Sequence, residues 1–277
     1  MKNGKPSFYL IYALFLWLVF TMPSCNKKEG SFSIEDLNEQ SLLSLVWYQN
    51  AAEVRALYHQ AFNLARLRLD EYLWEREIEE KYAVVIDIDE TVLDNTPVHA
   101  WRFKQGVTHP DGWDEWCRAA EAEALPGVLD FLKYADSRGC EIFYVSNRDV
   151  TLKEATLKNL KDLNFPDADE AHVLLRKETG DKEPRRQLVR KDHNIVLLIG
   201  DNLGDFASLF MDKKTDARNA AVEEHREKFG KRFIILPNPK YGDWEGTLYG
   251  LQRELTPADK NKLRRASLKP WENSQKK

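Results

Sequence analysis

Cysteine is scarce in this sequence, with three in 277 residues, and no two of them stand in a C-x-x-C pair. A redox dithiol or a structural zinc site is therefore not indicated. The six histidines are dispersed without an H-E-x-x-H spacing, so the zinc-peptidase pattern is missing as well. There is no G-x-G-x-x-G, no G-x-x-x-x-G-K and no G-x-S-x-G. A dinucleotide cradle, a nucleoside-triphosphate loop and a hydrolase nucleophile elbow are thereby excluded. Basic residues do not predominate either: 41 Lys and Arg face 45 Asp and Glu, for a net charge of −4. That balance lacks the basic face a nucleic-acid polymer requires. No internal repeat, low-complexity tract or long block of like charge interrupts the chain.

Long apolar runs are also rare. The one at Phe8–Phe20 (FYLIYALFLWLVF) has thirteen residues, too few to span a bilayer. Preceded by Lys2 and Lys5 and followed by TMPSC, it resembles a bacterial lipoprotein signal. On that reading residues 1–24 are removed and Cys25 carries the lipid, with a polar tether over 25–33. The expected location is then the bacterial cell envelope, on the outer membrane, facing the periplasm or the surface. Cys117 and Cys140 remain, and they read as two ordinary thiols, although the sequence leaves their pairing open.

Positive signals begin at residue 34. A helical region is expected over 34–80, with an apolar stripe through Leu42, Leu45 and Val46 that Leu57, Ala61, Leu64 and Leu67 extend. Trp47, Tyr48 and Tyr58 read as core or interface residues. From Ala83 strands and helices alternate. Strands are predicted at 83–88, 141–146, 172–175, 195–200 and 232–236, and helices near 127–138, 151–163, 183–191, 203–211 and 216–229. Apolar strands separated by helices imply an α/β fold, with a doubly wound parallel sheet covered on both faces. The globular core would run over 34–277, with a small helical cap over 95–126.

Ligands in such sheets sit beyond the carboxyl ends of the strands. The first predicted strand runs into DIDETVLD, which sets Asp87, Asp89, Glu90 and Asp94 within eight positions. Carboxylates packed that closely repel, and burial raises the cost of each charge. A hard cation such as Mg²⁺ resolves the conflict, because several carboxylate oxygens are what it binds. The second strand ends at Ser146-Asn147-Arg148, the fourth runs into GDNLGD at 200–205, and Lys182 precedes a helix. Carboxylates with a metal, a lysine and a hydroxyl suit phosphoryl transfer. Asp87 could attack phosphorus while Lys182, Ser146 and backbone N–H groups hold the anion. Asp89, two residues on in an extended segment, would point the same way and could serve as general acid and base. Lys177, Arg185 and Arg186 are alternative cations near Lys182.

DIDET (87–91), VSNR (145–148), Lys182 and GDNLGD resemble, in order, the four motifs of the haloacid dehalogenase superfamily. DIDETVLDNTP, FYVSNR, GDNLGDF and LPNPKYGDWEG (236–246) are similar, more narrowly, to the class C acid phosphatases. Those are bacterial lipoproteins with four active-site aspartates, several of them 5′-nucleotidases. The resemblance implies a Mg²⁺-dependent phosphomonoesterase with Asp87 as nucleophile and Asp89 as acid and base. Metal ligands would be Asp87, Asp201, the Asp89 carbonyl and, more weakly or through water, Asp205. Thr91, Ser146, Asn147 and Lys182 would serve the phosphate. Trp101 and Tyr241 would sandwich the ring of a 5′-nucleotide or of nicotinamide mononucleotide. Val98 departs from the family, which usually has tyrosine there. The implied partners are a small phosphomonoester and, through the lipid, a membrane, with a homodimer allowed. A phosphotransferase using the same phospho-aspartate, or a catalytically silent binding lipoprotein, are the alternatives.

Overall fold

The computed structural model describes residues 32–74, 80–252 and 254–271. The expected signal peptide, most of the tether and Cys25 lie outside those residues. Residues 33–277 make up one unit, and no helix among the described residues is long and apolar enough to cross a membrane.

The amino-terminal region is two helices rather than one. Helix α1 (Ile34–Asn50) starts at Ser33, whose hydroxyl accepts from Asp36 N while the Asp36 carboxylate accepts from Ser33 N. These reciprocal bonds satisfy two of the otherwise unpaired N-terminal donors. The chain turns extended at Ala51 and re-enters helix as α2 (Ala52–Trp74). Its buried face carries Val54, Tyr58, Phe62, Ala65, Leu69 and Leu73, at helical spacing. That face differs from the predicted stripe: Val46, Leu57 and Leu67 point outward, because the aromatic residues and Ala65 take the core side.

Among the described residues five strands form the main sheet: β1 (Tyr82–Ile86), β4 (Cys140–Asp149), β5 (Val173–Arg176), β6 (Asn194–Gly200) and β7 (Phe233–Ile235). Their order is β5-β4-β1-β6-β7 and every pairing is parallel. Each predicted strand is present within a few residues. Strand β1 is central, with Ile86 opposite Tyr144 on one side and Ile199 on the other. Alternate β1 side chains enter different cores. Val84 and Ile86 join the cluster with α2, whereas Ala83 and Val85 pack with Val189, Phe206 and Phe233. Burial on both faces explains why these strands read as continuous apolar runs.

Between β1 and β4 the chain runs through a small two-stranded and helical segment. A two-residue strand β2 (Leu93–Asp94) pairs antiparallel with β3 (Glu123–Ala124), and helices α3 (Thr96–Gln105) and α4 (Trp113–Ala119) lie between them. Helices α5 (Val128–Ser137), α6 (Lys153–Asp162), α7 (Glu183–Arg190) and α8 (Thr215–Glu224) connect the sheet, followed by α9 (Asp243–Leu248) and α10 (Pro257–Ala266). The helix predicted over 203–211 is instead two 3₁₀ turns, Leu203–Asp205 and Ser208–Phe210. The Asn202 and Asp205 side chains bond the local backbone there and hold the turn tight. The one predicted over 216–229 is α8 plus a 3₁₀ turn at Arg226–Lys228. Cys117 in α4 and Cys140 in β4 are separate buried thiols.

Candidate active site

The carboxyl ends of β4, β1 and β6 lie side by side, and the chain leaves each of them carrying a polar residue. Beyond β1, Asp87 N still donates to Ile199 O at 2.9 Å, so its side chain is fixed at the β1–β6 seam. The Ile88 carbonyl then accepts from Val92 N and Leu93 N at 2.8 and 2.9 Å, which winds DIDET into a tight loop. Glu90 in that loop has φ +57°, a conformation that costs a non-glycine residue energy and is held here by its surroundings.

Asp87, Asp201 and Asp205 each bring a carboxylate oxygen within 4.8 Å of the others. Lys182 stands between two of them, bonded to Asp87 Oδ1 and 2.6 Å from Asp205 Oδ1. Asp201 is held by Asn238 Nδ2, which donates at 2.8 Å, and more loosely by Thr91 Oγ1 at 3.4 Å. The position of Asp205 depends on Gly200. A Cβ at residue 200 would stand 2.2 Å from Asp205 Oδ2, which accepts from Asn202 N at 2.9 Å. Burial pushes the Asp87 carboxyl up to about 7, with Lys182 pulling it down and Asp205 and Asp89 pushing it further up. Burial, then Asp205 and Asp87, hold Asp201 well above the usual carboxylate range. Burial alone would lower Lys182, but the two carboxylates against it raise it. Three clustered carboxylates have one ammonium beside them, which pairs with Asp87 and Asp205, and they are costly as they stand. Their oxygen donors fit a hard divalent cation, which would keep all three ionised.

Asp89 stands apart from this cluster. Its Oδ1 accepts from Asn95 Nδ2 at 2.8 Å and Arg148 Nε at 2.9 Å, and its Oδ2 from Ser146 Oγ at 3.1 Å. Both Asp87 and Asp89 line one cavity of about 550 Å³, but they face different partners. Arg148 is 2% exposed and also reaches Thr156 Oγ1. Asn147 lines the same cavity and is pinned by Arg185 Nη2 and Gly180 O. Of the cations near Lys182 in sequence, Lys177 is exposed. Arg185 is spent on Ser146 O and Asn147, and Arg186 on the Gly204 and Asp205 carbonyls.

Several residues were present in the quoted motifs but had no role assigned to them. Arg148 closes VSNR, Asn95 sits in LDNTP and Asn238 in LPNPKYG; all three position an aspartate. Glu90 is fully buried and balanced by Lys240 Nζ at 3.2 Å and by the Tyr241 hydroxyl, with Tyr48 and Tyr58 donating to its carbonyl. Pairing with Glu90 is how the 236–246 segment reaches the site. A charged residue inside an otherwise catalytic motif was the available signal. Tyr241 lines the cavity together with His99, Arg102, His109 and Trp113. Trp101 does not line it: the ring is 45% exposed and packs over Gly112, where a Cβ would meet it at 2.6 Å. In this geometry Trp113, not Trp101, is the tryptophan facing the cavity. Val98 is buried in α3.

The family model for HAD superfamily, subfamily IIIB (acid phosphatase), matches residues 28–244. The chain belongs to this family. It is 47% identical to the class C acid phosphatase from Bacillus anthracis, with a TM-score of 0.83 over 85% of this chain and 99% of that one. A tungstate-bound structure of the B. anthracis enzyme matches equally well. More distant curated relatives come from Glycine max. The stem 31 kDa glycoprotein is 28% identical over 178 residues, covering 61% of this chain and 63% of the relative. The stem 28 kDa glycoprotein is 26% identical over 225 residues, covering 76% and 78%. The chain thus spans somewhat less than two thirds of the first of these. The acid-phosphatase match ends at residue 244, so it takes in Asp87, Asp89, Ser146, Lys182, Asp201, Asp205 and Tyr241.

Proposed function

We propose that this acid-phosphatase family chain hydrolyses phosphomonoesters through a phospho-aspartate on Asp87, with Mg²⁺ as cofactor and 5′-nucleotides or nicotinamide mononucleotide as substrates. The observation that carries the reading is the division of the aspartates. Asp87 clusters with Asp201, Asp205 and Lys182, while Asp89 is held separately by hydrogen-bond donors. Asp87, Asp201 and Asp205 side chains, with the Asp89 carbonyl, would hold the cation. Bound there, it would neutralise the phosphoryl oxygens and the carboxylates around them.

The chain's own residues supply the remaining steps. Asp87 attacks phosphorus, and Lys182 compensates charge on the phosphoryl oxygens. Asp89 begins with both oxygens occupied. Ser146 can transfer its hydroxyl bond from Asp89 Oδ2 to a phosphoryl oxygen, which frees Oδ2 to take up a proton from solvent and pass that proton to the leaving oxygen. The same carboxylate then takes a proton from the water that opens the phospho-aspartate. Tungstate in the B. anthracis relative supports an oxyanion ligand, since it is a tetrahedral analogue of phosphate. The cavity of about 550 Å³, walled by Trp113, Tyr241, His99 and His109, supports a ring-bearing leaving group.

The test is phosphate release by the full chain from nucleoside 5′- and 3′-monophosphates, nicotinamide mononucleotide and sugar phosphates, with Mg²⁺ and with EDTA. Metal-dependent release that is lost in Asp87→Asn supports the reading. Absence of release from every ester, by a folded protein that still binds Mg²⁺, overturns it in favour of a binding lipoprotein. Adding acceptor alcohols separates hydrolase from phosphotransferase. We also propose anchoring to the bacterial outer membrane through lipid on Cys25, tested by the mass of the amino-terminal peptide from envelope fractions.

A further inference from the structure

Four cationic side chains line the active-site cavity, and three of them are neutralised there. Lys182 pairs with Asp87 and Asp205, Arg148 with Asp89 at 2.9 Å, and Arg176 with Asp149 at 3.7 Å. Arg102 differs. It extends from α3, is 5% exposed, and has no carboxylate at ion-pair distance among the described residues. Its Nε donates to Asp111 O at 2.6 Å, which fixes the plane of the guanidinium, and its carbon lies 5.8 Å from the centre of the Trp113 ring. Its Nη2 is buried with no hydrogen-bond partner among the described residues. Next to it, His99 Nε2 also lacks a hydrogen bond, and the His99 ring lies 5.2 Å from that of Tyr241.

A buried donor left unmade is costly, and native structures keep few of them. A guanidinium has five donors and no acceptor, so only an acceptor can complete it. Arg102 is held at the aromatic side of the cavity, among the rings that would receive the leaving group. We infer that Arg102 is a specificity-determining residue that reads a ring carbonyl on the leaving group. The favoured substrates are then 6-oxopurine and 4-oxopyrimidine nucleotides. This rests on the nucleotidase reading above. An exocyclic amino group at the same ring position presents donors to a donor and leaves Arg102 unsatisfied, whereas O6 and N7 of an oxopurine match the guanidinium fork. The rival occupant is water. A side cavity of about 70 Å³, bordered by Arg102, His99, Asn38, Ser41 and Lys240, is large enough for one or two molecules. Water there would complete Arg102 without any substrate.

Two substrate pairs isolate the effect, since each is matched in size and charge: IMP against AMP, and UMP against CMP. With the Mg²⁺-loaded full chain, kcat/KM is expected to favour the oxo member of each pair by about tenfold or more, mainly through KM. Arg102→Met should bring both ratios to within about twofold of one, and Arg102→Lys, which keeps a donor-only cation, should retain part of each. Because each ratio is internal to one protein, a general loss of activity does not alter it. Should Arg102→Met fail to fold, the wild-type ratios and Arg102→Lys still decide. Wild-type ratios near one, a preference for amino rings, or ratios that persist in Arg102→Met overturn the proposal. So does hydrolysis of phenyl phosphate with none of the four nucleotides. If no ester at all is hydrolysed, the phosphatase reading falls by itself. Calorimetric binding of inosine against adenosine, to wild type and Arg102→Met, then decides the subsite separately.

Discussion

Asp201→Asn should change the sign of its effect with metal. Asp87, Asp201 and Asp205 oxygens lie within 4.8 Å of one another. Two unit charges at that distance repel by about 3.5 kcal/mol at an effective dielectric of about 20. Without a cation, burial and this repulsion hold Asp201 far above its ordinary range, so the folded state carries the cost of protonating it, while Lys182 pairs with Asp87 and Asp205. Asparagine keeps an oxygen for Asn238 Nδ2 and adds an N–H donor that faces the remaining carboxylates. In EDTA the variant should therefore be more stable than wild type by about 1–2 kcal/mol. With free metal at a hundred times its dissociation constant, wild type gains about 2.7 kcal/mol by mass action and the variant, lacking one ligand, gains much less. The order of stability reverses. Urea unfolding of both proteins in EDTA and in saturating Mg²⁺ provides the assay. A variant less stable than wild type in EDTA, or a wild type whose midpoint ignores Mg²⁺, would refute the reasoning.

The same cluster sets a pH dependence. Asp87 is raised from 3.8 to about 7, so between these values the folded state holds a proton that the unfolded chain has lost. Metal-free stability from this group is thus present at low pH and declines as pH rises from about 4 to 7, by up to about 1.4 kcal/mol per unit. Stabilisation by Mg²⁺ should accordingly be larger at pH 7.5 than at pH 5 in parallel urea titrations; equal stabilisation would contradict it. Gly200→Ala should weaken metal binding by about tenfold to a hundredfold, because its Cβ displaces Asp205 from its place beside Lys182. Titration with Mg²⁺ or Mn²⁺ measures that loss, and unchanged affinity counts against the role of Asp205. Lys240→Met leaves Glu90 buried without its cation and should cost about 3–5 kcal/mol. The double variant Glu90→Gln/Lys240→Met should recover much of that cost in a thermodynamic cycle, and strict additivity would show that the pair is not coupled.

The fold was legible because burial leaves a pattern. Strands covered on both faces must be apolar throughout, so YAVVI, IFYVS and IVLLIG announced the parallel sheet, and the acidic residues after β1 and β6 announced its functional edge. The elements misjudged were those where local bonds compete with helix formation. Asn202 and Asp205 tie their own backbone and leave only 3₁₀ turns. Over α2 two apolar faces were available, and only contact with the sheet decided that Tyr58, Phe62 and Ala65 turn inward while Leu57 and Leu67 do not.

For the site, sequence alone determined the inventory: carboxylates too close to coexist without a cation, a lysine and a hydroxyl, all following strands of one sheet. Motif order determined the family. Tertiary structure decided which groups meet, since that depends on distances between chain segments far apart in sequence. It chose Lys182 over Lys177, Arg185 and Arg186 by burying its ammonium between Asp87 and Asp205. It separated Asp89 from Asp87 by giving it Arg148, Asn95 and Ser146 as partners. It turned Trp113 toward the cavity and laid Trp101 over Gly112. It also left Arg102 buried in that wall with a donor unspent. No spacing in the sequence encodes that, because a hydrogen bond that is not made leaves no periodicity behind it.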